Sequence, residues 1–66
     1  MHTKIILDTA GTYWRVTEPT DPALAHAYLG RRVRKLGNAF PFVKAARWQK
    51  EILVRKAHTV VIREEF

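Results

Sequence analysis

The sequence predicts a small α+β domain in which one amphipathic helix packs on an antiparallel sheet formed by two β-hairpins. Three observations support this fold class. Two β-branched and aromatic runs flank a glycine near the N-terminus, and apolar residues recur at helical spacing over about residues 21–36. When the C-terminal segment is folded back on itself, its apolar residues lie opposite apolar residues and its charged residues opposite charges of the other sign.

The first hairpin is predicted from two strand-forming runs, residues 5–7 and 13–16, that are rich in β-branched and aromatic side chains. Gly11 lies between them and suits the left-handed backbone position of a short turn. Because side chains alternate along a strand, Tyr13 and Arg15 are predicted to face outward together.

The helix is predicted from a start signal followed by an apolar stripe. Asp21 is the expected N-cap and Pro22 the first helical residue, and the helix is expected to end near residue 36. At about 100° per residue, one face of this segment is apolar: Ala25, Leu29, Val33 and Leu36. Gly30 interrupts the segment and lowers helix stability by about 1 kcal/mol relative to alanine.

The second hairpin is predicted from the pairing that results when the chain is folded back about Ala57. Three apolar pairs then face each other and the flanking charges are opposite in sign: Val54 with Val60, Leu53 with Val61, Ile52 with Ile62, Glu51 with Arg63 and Lys50 with Glu64. The expected turn, residues 56–58, lacks the glycine that such loops usually contain. Residues 42–50 are predicted to be strand or, as an alternative, a second short helix.

The whole chain, residues 1–66, is predicted to be a single small basic domain. A chain of this length buries only about 60% of its unfolded surface, so its core is expected to be small. Cysteine is absent, and neither a signal peptide nor a membrane-spanning run is predicted, so we expect a cytoplasmic protein.

The residue types that most enzymes and metal sites need are scarce. The chain has no serine and no cysteine, and its histidines at positions 2, 26 and 58 lack the spacing of metal ligands. No glycine-rich phosphate-binding loop occurs. The sequence therefore predicts no enzyme, no catalytic residues, no metal site and no cofactor.

Positive charge is concentrated in one part of the chain. Nine of the twelve lysines and arginines lie between residues 31 and 56, where Glu51 is the only acid, so this segment carries a net charge of +8. A local excess of this kind attracts phosphates or acidic surfaces. We therefore predict a regulatory nucleic-acid-binding module, for DNA or RNA, that contacts phosphates.

The predicted nucleic-acid contacts are cationic, amide and aromatic side chains: Arg31, Arg34, Lys35, Lys44, Arg47, Gln49, Lys50, Arg55, Tyr13 and Arg15. If residues 42–50 were helical, the order helix, turn, helix and hairpin would resemble winged helix-turn-helix proteins in layout. That resemblance implies Arg47 and Gln49 as base readers.

An alternative interpretation is a small protein-interaction module or inhibitor that docks on an acidic protein surface. Leu53 and Val61 give the second hairpin a half-apolar outer face, and Phe40 and Phe42 flank a proline after the predicted helix. These four residues form the predicted partner interface, and the same face could pair two copies in a homodimer. A membrane partner is not expected, because the apolar stripe of the helix is needed for folding.

Overall fold

A computed structural model describes residues 2–37, 41–45 and 49–65, which form almost entirely antiparallel β-structure. The regular elements of these residues are six strands and two short 3₁₀ turns, the turns lying at Pro22–Leu24 and Lys56–His58. The strands are β1 (Thr3–Asp8), β2 (Tyr13–Thr17), β3 (Ala27–Lys35), β4 (Phe42–Lys44), β5 (Ile52–Arg55) and β6 (Thr59–Glu65).

The strands belong to one sheet whose order is β4-β3-β2-β1-β6. The remaining strand, β5, pairs with the N-terminal half of β3, while β4 pairs with its C-terminal half. Val33 lies opposite Lys44 of β4, and Gly30 lies opposite Ile52 of β5. Within the described residues, the sheet therefore has one interrupted edge, β4/β5, and one continuous edge, β6.

The two edges are drawn together by the short connection between them. Arg55 ends β5 and Thr59 begins β6, with only the turn Lys56–His58 in between. In a flat sheet, the four strand spacings from β5 to β6 would span about 19 Å, whereas four residue steps reach at most about 14 Å. The sheet is therefore curled, which brings its β5 and β6 edges toward each other at this end.

The predicted α+β fold is wrong, because most of the segment expected to be a helix is strand β3. Asp21 does cap a turn, its carboxylate accepting the Ala23 N–H at 2.9 Å, but that turn is a short 3₁₀ turn. Gly30 explains the difference. A Cβ atom at this position would lie 2.2 Å from the carbonyl oxygen of Arg15, so the glycine permits the close approach of β2 and β3.

The predicted second hairpin is also wrong, although its strands lie near the expected positions. β5 pairs with β3, where Val54 faces Tyr28, and β6 pairs with β1, where Val61 faces Ile6. The turn between β5 and β6 has no residue with a positive φ and has extended flanks, so it carries the chain from one edge to the other instead of reversing it.

The alternative of a second short helix over residues 42–50 is wrong as well. Its first residues, Phe42–Lys44, form strand β4 beside the C-terminal half of β3. Gln49 and Lys50 have no regular secondary structure, and residues 46–48 lie outside the described part of the chain. The winged helix-turn-helix layout therefore does not apply.

The first hairpin is confirmed. β1 and β2 pair antiparallel, and Gly11 adopts a φ of 83° in the turn between them. One carboxylate oxygen of Asp8 accepts the N–H groups of Ala10 and Thr12, both at 2.9 Å. The other accepts the Trp14 indole N–H at 2.8 Å. The indole hydrogen bond is the main reason why the pKa of Asp8 is held below its ordinary value.

The core consists of two apolar clusters, one on each face of the curled sheet. Ile5 and Ile6 are neighbours in β1 and both are fully buried, which requires cover on both faces of the strand. The first cluster contains Ile5, Val33 and Phe42 with Tyr13 packed against them, and the second contains Ile6, Val16 and Tyr28 with Trp14 and Val54. Leu36, which the predicted helix stripe placed inside, is exposed.

Candidate nucleic-acid interface

The C-terminal half of β3, with the strand and loop beside it, carries a group of exposed cations. We name this surface the basic patch; in the described residues it consists of Arg31, Arg32, Arg34, Lys35, Lys44 and Lys50. Because β4 pairs with β3 at this point, cations from two adjacent strands lie side by side, with the strands about 5 Å apart.

Strand alternation distributes the patch over both faces of the sheet edge. Arg32 and Arg34 share one face, where Arg32 lies directly opposite Trp14 of β2. The other face carries the remaining strand cations: Arg31, Lys35 and Lys44. The patch therefore wraps around the β4 edge.

Most of the acids that could neutralise the patch are engaged elsewhere. Among the described residues, the ion pairs are Glu18 with Lys4 (3.9 Å) and Lys56 (2.7 Å), Glu65 with Arg15 (2.9 Å) and Arg63 (2.8 Å), and Glu51 with Arg31 (3.3 Å). Glu64 lies 3.6 Å from the His2 imidazole. Arg31 is thus the patch cation that has an acidic partner. Across the ranges that the structure describes, the other five have no carboxylate within salt-bridge distance.

A groove of about 380 Å³ opens on the face that carries Arg31 and Lys44. Its charged lining residues are Arg15, Arg31, Arg32, Lys44 and Glu51, and Thr3 and Thr17 also line it. Arg15 is paired with Glu65 and Arg31 with Glu51, so Arg32 and Lys44 supply the excess positive charge of the groove. It suits an anionic group such as a phosphate.

Gln49 ties the loop before β5 to the patch. Its side-chain amide donates to the Arg32 carbonyl oxygen at 2.7 Å, and its own backbone carbonyl accepts the Arg31 Nε–H at 3.2 Å. The predicted base reader Gln49 therefore lies in a loop with its amide bound to the backbone of β3. These two hydrogen bonds hold the next residue, Lys50, close to the other cations of the patch.

The two predicted contacts in the first hairpin have other partners. The Tyr13 ring packs on Phe42 with centroids 5.1 Å apart, so the predicted outward orientation of Tyr13 is wrong. The reason is that Val33 of β3 lies directly opposite Tyr13 and Phe42 of β4 lies on the same face, so the ring has apolar neighbours there. Arg15 donates to Glu65 at 2.9 Å and to the Phe42 carbonyl oxygen at 3.2 Å, which ties β2 to β6 and β4.

Glu65 accepts hydrogen bonds from several neighbours beside the groove. Burial raises the pKa of this carboxyl, but the hydrogen bonds donated by Arg15, Thr3 and Arg63 outweigh that effect and hold its pKa below the ordinary value. The ionised carboxylate in turn keeps two arginines, Arg15 and Arg63, in internal ion pairs.

One further predicted cation, Arg55, does not join the patch. It is exposed at the far end of β5, opposite Ala27, where β3 begins. Another predicted cation, Arg47, lies outside the described residues. Arg55 therefore provides a natural comparison for the patch arginines, since it is the same side chain, also exposed, on the same sheet.

The predicted partner interface is not one surface. Phe42 is buried in the first core cluster, and Phe40 lies outside the part of the chain that the structure describes. Leu53 and Val61 are each 47% exposed, but they lie on opposite edges of the sheet, in β5 and β6. They therefore cannot serve as one face of a hairpin.

Sequence reasoning missed Arg32 as a patch residue. A helical reading turns Arg32 toward the apolar stripe, whereas the strand places it on the same face as Arg34. The signal that could have shown this is the period of two from Arg32 to Arg34, together with the β-branched Val33 between them.

Comparison of the chain with protein-family models, with curated proteins and with solved structures finds no match. Among the described residues, no helix has the length and apolar character needed to cross a membrane. The same residues contain no group of three or more histidines, cysteines, aspartates or glutamates placed to hold a metal ion. The basic patch is therefore the feature of the molecule that bears on its function.

Proposed function

We propose that this protein is a small DNA-binding module, regulatory in role, that contacts phosphates through the basic patch. One observation carries the proposal: of the six patch cations, five have no carboxylate partner among the described residues, while nearly all the acids are engaged elsewhere. The positive potential of this edge therefore remains available to an external polyanion. The absence of cysteine fits a reducing compartment, and we propose a cytoplasmic location.

The shape of the patch fits a duplex. The major groove of B-DNA, about 12 Å wide, admits a two-stranded β-ribbon. In this protein the strand that can approach such a groove is β4, since within the described chain it pairs only with β3, whereas β3 lies between β4 and β2. With Arg32 and Arg34 on one face of this edge and Lys44 on the other, the patch can reach phosphates on both sides of the groove.

Single-residue replacement on and off the patch tests this proposal. Binding of a short labelled duplex, followed by fluorescence anisotropy in about 50 mM salt, should weaken about three- to tenfold for Arg34→Ala, because one phosphate contact is lost. The matched variant Arg55→Ala should bind like the wild type. Equal losses for the two variants, or no binding by the wild type, would contradict the proposal.

A second candidate function is docking on an acidic protein surface. The observation that favours it is a set of large apolar side chains exposed on β5 and β6: Ile52, Leu53, Val60, Val61 and Ile62. Competition separates the two functions. If polyglutamate displaces the labelled duplex as effectively as unlabelled duplex does at equal charge concentration, the patch is adapted to a protein partner; the DNA proposal expects duplex to compete much better.

A further inference from the structure

The β6 edge exposes a run of three β-branched residues. Val60 is 59% exposed, Val61 47% and Ile62 42%, and in the described chain β6 pairs only with β1. An exposed apolar edge strand is a template for pairing with another chain. This edge therefore needs an explanation that the basic patch does not give.

The run contains a β-bulge. Ile5 of β1 faces Arg63, but the next residue, Ile6, faces Val61, so Ile62 is an extra residue in β6. The strand bends at this point, and none of the three residues belongs to either core cluster. All three side chains are therefore exposed.

The opposite edge is better protected. Charged side chains flank its two short strands, namely Lys44, Lys50, Glu51 and Arg55, and the exposed apolar residues between them are Ile52 and Leu53 of β5. Charges on an edge strand oppose strand addition, because pairing would desolvate them. On β6, three exposed uncharged residues follow one another in a longer strand, so of the two edges β6 is the better suited to pairing.

We propose that a second copy of this chain pairs with β6, antiparallel, about a two-fold axis at Val61. In this register Val61 faces Val61 of the second copy, and Val60 faces its Ile62. Thr59 then lies opposite Arg63 and His58 opposite Glu64, so no like charges meet.

The other registers match less well. An axis at Ile62 places Val60 opposite Glu64, and an axis at Val60 places Ile62 opposite His58. An axis between Val61 and Ile62 places Val60 opposite Arg63, and one between Val60 and Val61 places Thr59 opposite Ile62. The axis at Val61 therefore pairs the three apolar residues only among themselves.

The distribution of charge also favours β6 as the contact. Each copy carries a net charge of +6, so association through the basic patch would bring like charges together. Three strand spacings, about 14 Å along the sheet, separate β3 from β6 in each copy, which exceeds the Debye length of about 8 Å at physiological salt. The inference does not depend on DNA binding, and its test can fail independently.

Disulfide trapping tests the register, because the chain has no native cysteine. In the proposed dimer the two Cα atoms of residue 61 lie about 4.5–5.5 Å apart, within the range that a disulfide spans. The two Cα atoms of residue 60 lie about 8 Å apart, beyond that range. Val61→Cys should therefore give a cross-linked dimer under mild oxidation at least about tenfold faster than the control Val60→Cys, although Val60 is the more exposed residue.

Sedimentation velocity tests the dimer itself. Val61→Lys places two lysines opposite each other on the axis and should raise the dimer dissociation constant at least about tenfold. Leu53→Lys, at a position with the same 47% exposure on the other edge, should leave it unchanged. A monomeric wild type, equal effects of the two lysine variants, or cross-linking of Val60→Cys at the same or a higher rate than Val61→Cys would overturn the inference.

Discussion

The two edges of the sheet differ in chemistry although they belong to one small domain. The β4/β5 edge carries the exposed cations of the basic patch and of β5, and the loop before β5 is fastened to β3 through Gln49. The β6 edge presents the uncharged run from Val60 to Ile62. The β4/β5 edge is therefore suited to binding a polyanion, and the β6 edge to pairing with a strand of another chain.

This difference shows how a short chain can separate two kinds of contact. Charges on the β4/β5 edge oppose strand pairing and at the same time provide phosphate ligands. At the β6 edge the acids Glu64 and Glu65 lie beyond the apolar run, where Glu64 contacts His2 and Glu65 forms an ion pair with Arg15. Each edge should therefore respond to mutation without affecting the other.

The largest effect is expected from Gly30→Ala, which tests whether both edges depend on the β2–β3 contact. The added Cβ would meet the Arg15 carbonyl oxygen at 2.2 Å and the Val16 side chain at 2.6 Å, and the backbone atom cannot move aside cheaply. We expect a loss of about 3 kcal/mol or more in the free energy of unfolding, measured by urea denaturation.

Gly11→Ala is the control for this replacement. Gly11 has a positive φ but open space around its Cβ position, so only the backbone preference is lost, about 1 kcal/mol. If Gly30→Ala were no worse than Gly11→Ala, the account of why residues 27–35 form a strand would be contradicted.

The next largest effect concerns the separation of the edges. The double variant Arg32→Glu/Arg34→Glu reverses two charges on one face of the patch and should weaken duplex binding at least about 100-fold at low salt. Its dimer dissociation constant, measured by sedimentation, should stay that of the wild type. Val61→Lys should show the reverse pattern, with duplex binding per chain retained. If one of these variants lost both duplex binding and dimerisation while its circular dichroism spectrum stayed that of the folded protein, the proposed independence of the two edges would be contradicted.

The smallest effect is a pH dependence at the junction of β6 and β2. The pKa of Glu65 is lower in the folded chain than its reference value of 4.5, so its contribution to stability is complete above about pH 4.5 and is lost as the pH falls through the folded pKa. Glu65→Gln should lower the free energy of unfolding at pH 7 by about 1–3 kcal/mol. Below pH 4.5, the free energy of unfolding of this variant should fall less steeply with decreasing pH than that of the wild type.

Glu64→Gln is the matched control, since Glu64 is the neighbouring and exposed acid of β6. It should change stability by less than about 0.5 kcal/mol. A Glu65→Gln protein that loses stability in acid as steeply as the wild type would contradict the assigned role of the Glu65 hydrogen bonds.

The first hairpin could be predicted from the sequence because its information is local. Two strand-forming runs and Gly11 lie within twelve residues, and their pairing needs no distant segment. The partners of β5 and β6 could not be predicted in this way. β5 pairs with β3, and β6 pairs with β1. Which strands pair depends on the curl of the whole sheet, and the pattern of residues 50–64 alone does not show that curl.

The helix prediction failed because one set of apolar residues satisfies two periods. Leu29 and Val33 are four apart, which suits a helix, and both also lie on one face of a strand. Gly30 decided between the two through a contact with β2 that has no sequence signature. The concentration of bases was visible in the sequence, yet the position of Arg32 and the packing of the partly buried Tyr13 ring on Phe42 required the strand geometry.

The slope of duplex binding against salt tests the central claim most directly. Five unpaired patch cations predict that log K falls with log[salt] at a slope near −4.5, measured from about 50 to 200 mM salt on a short B-form duplex. Arg34→Ala should reduce the magnitude of this slope by about 0.9, and Arg55→Ala should leave it unchanged. A flat dependence, or no binding at about 50 mM salt, would contradict the assignment of the basic patch as a phosphate-binding surface.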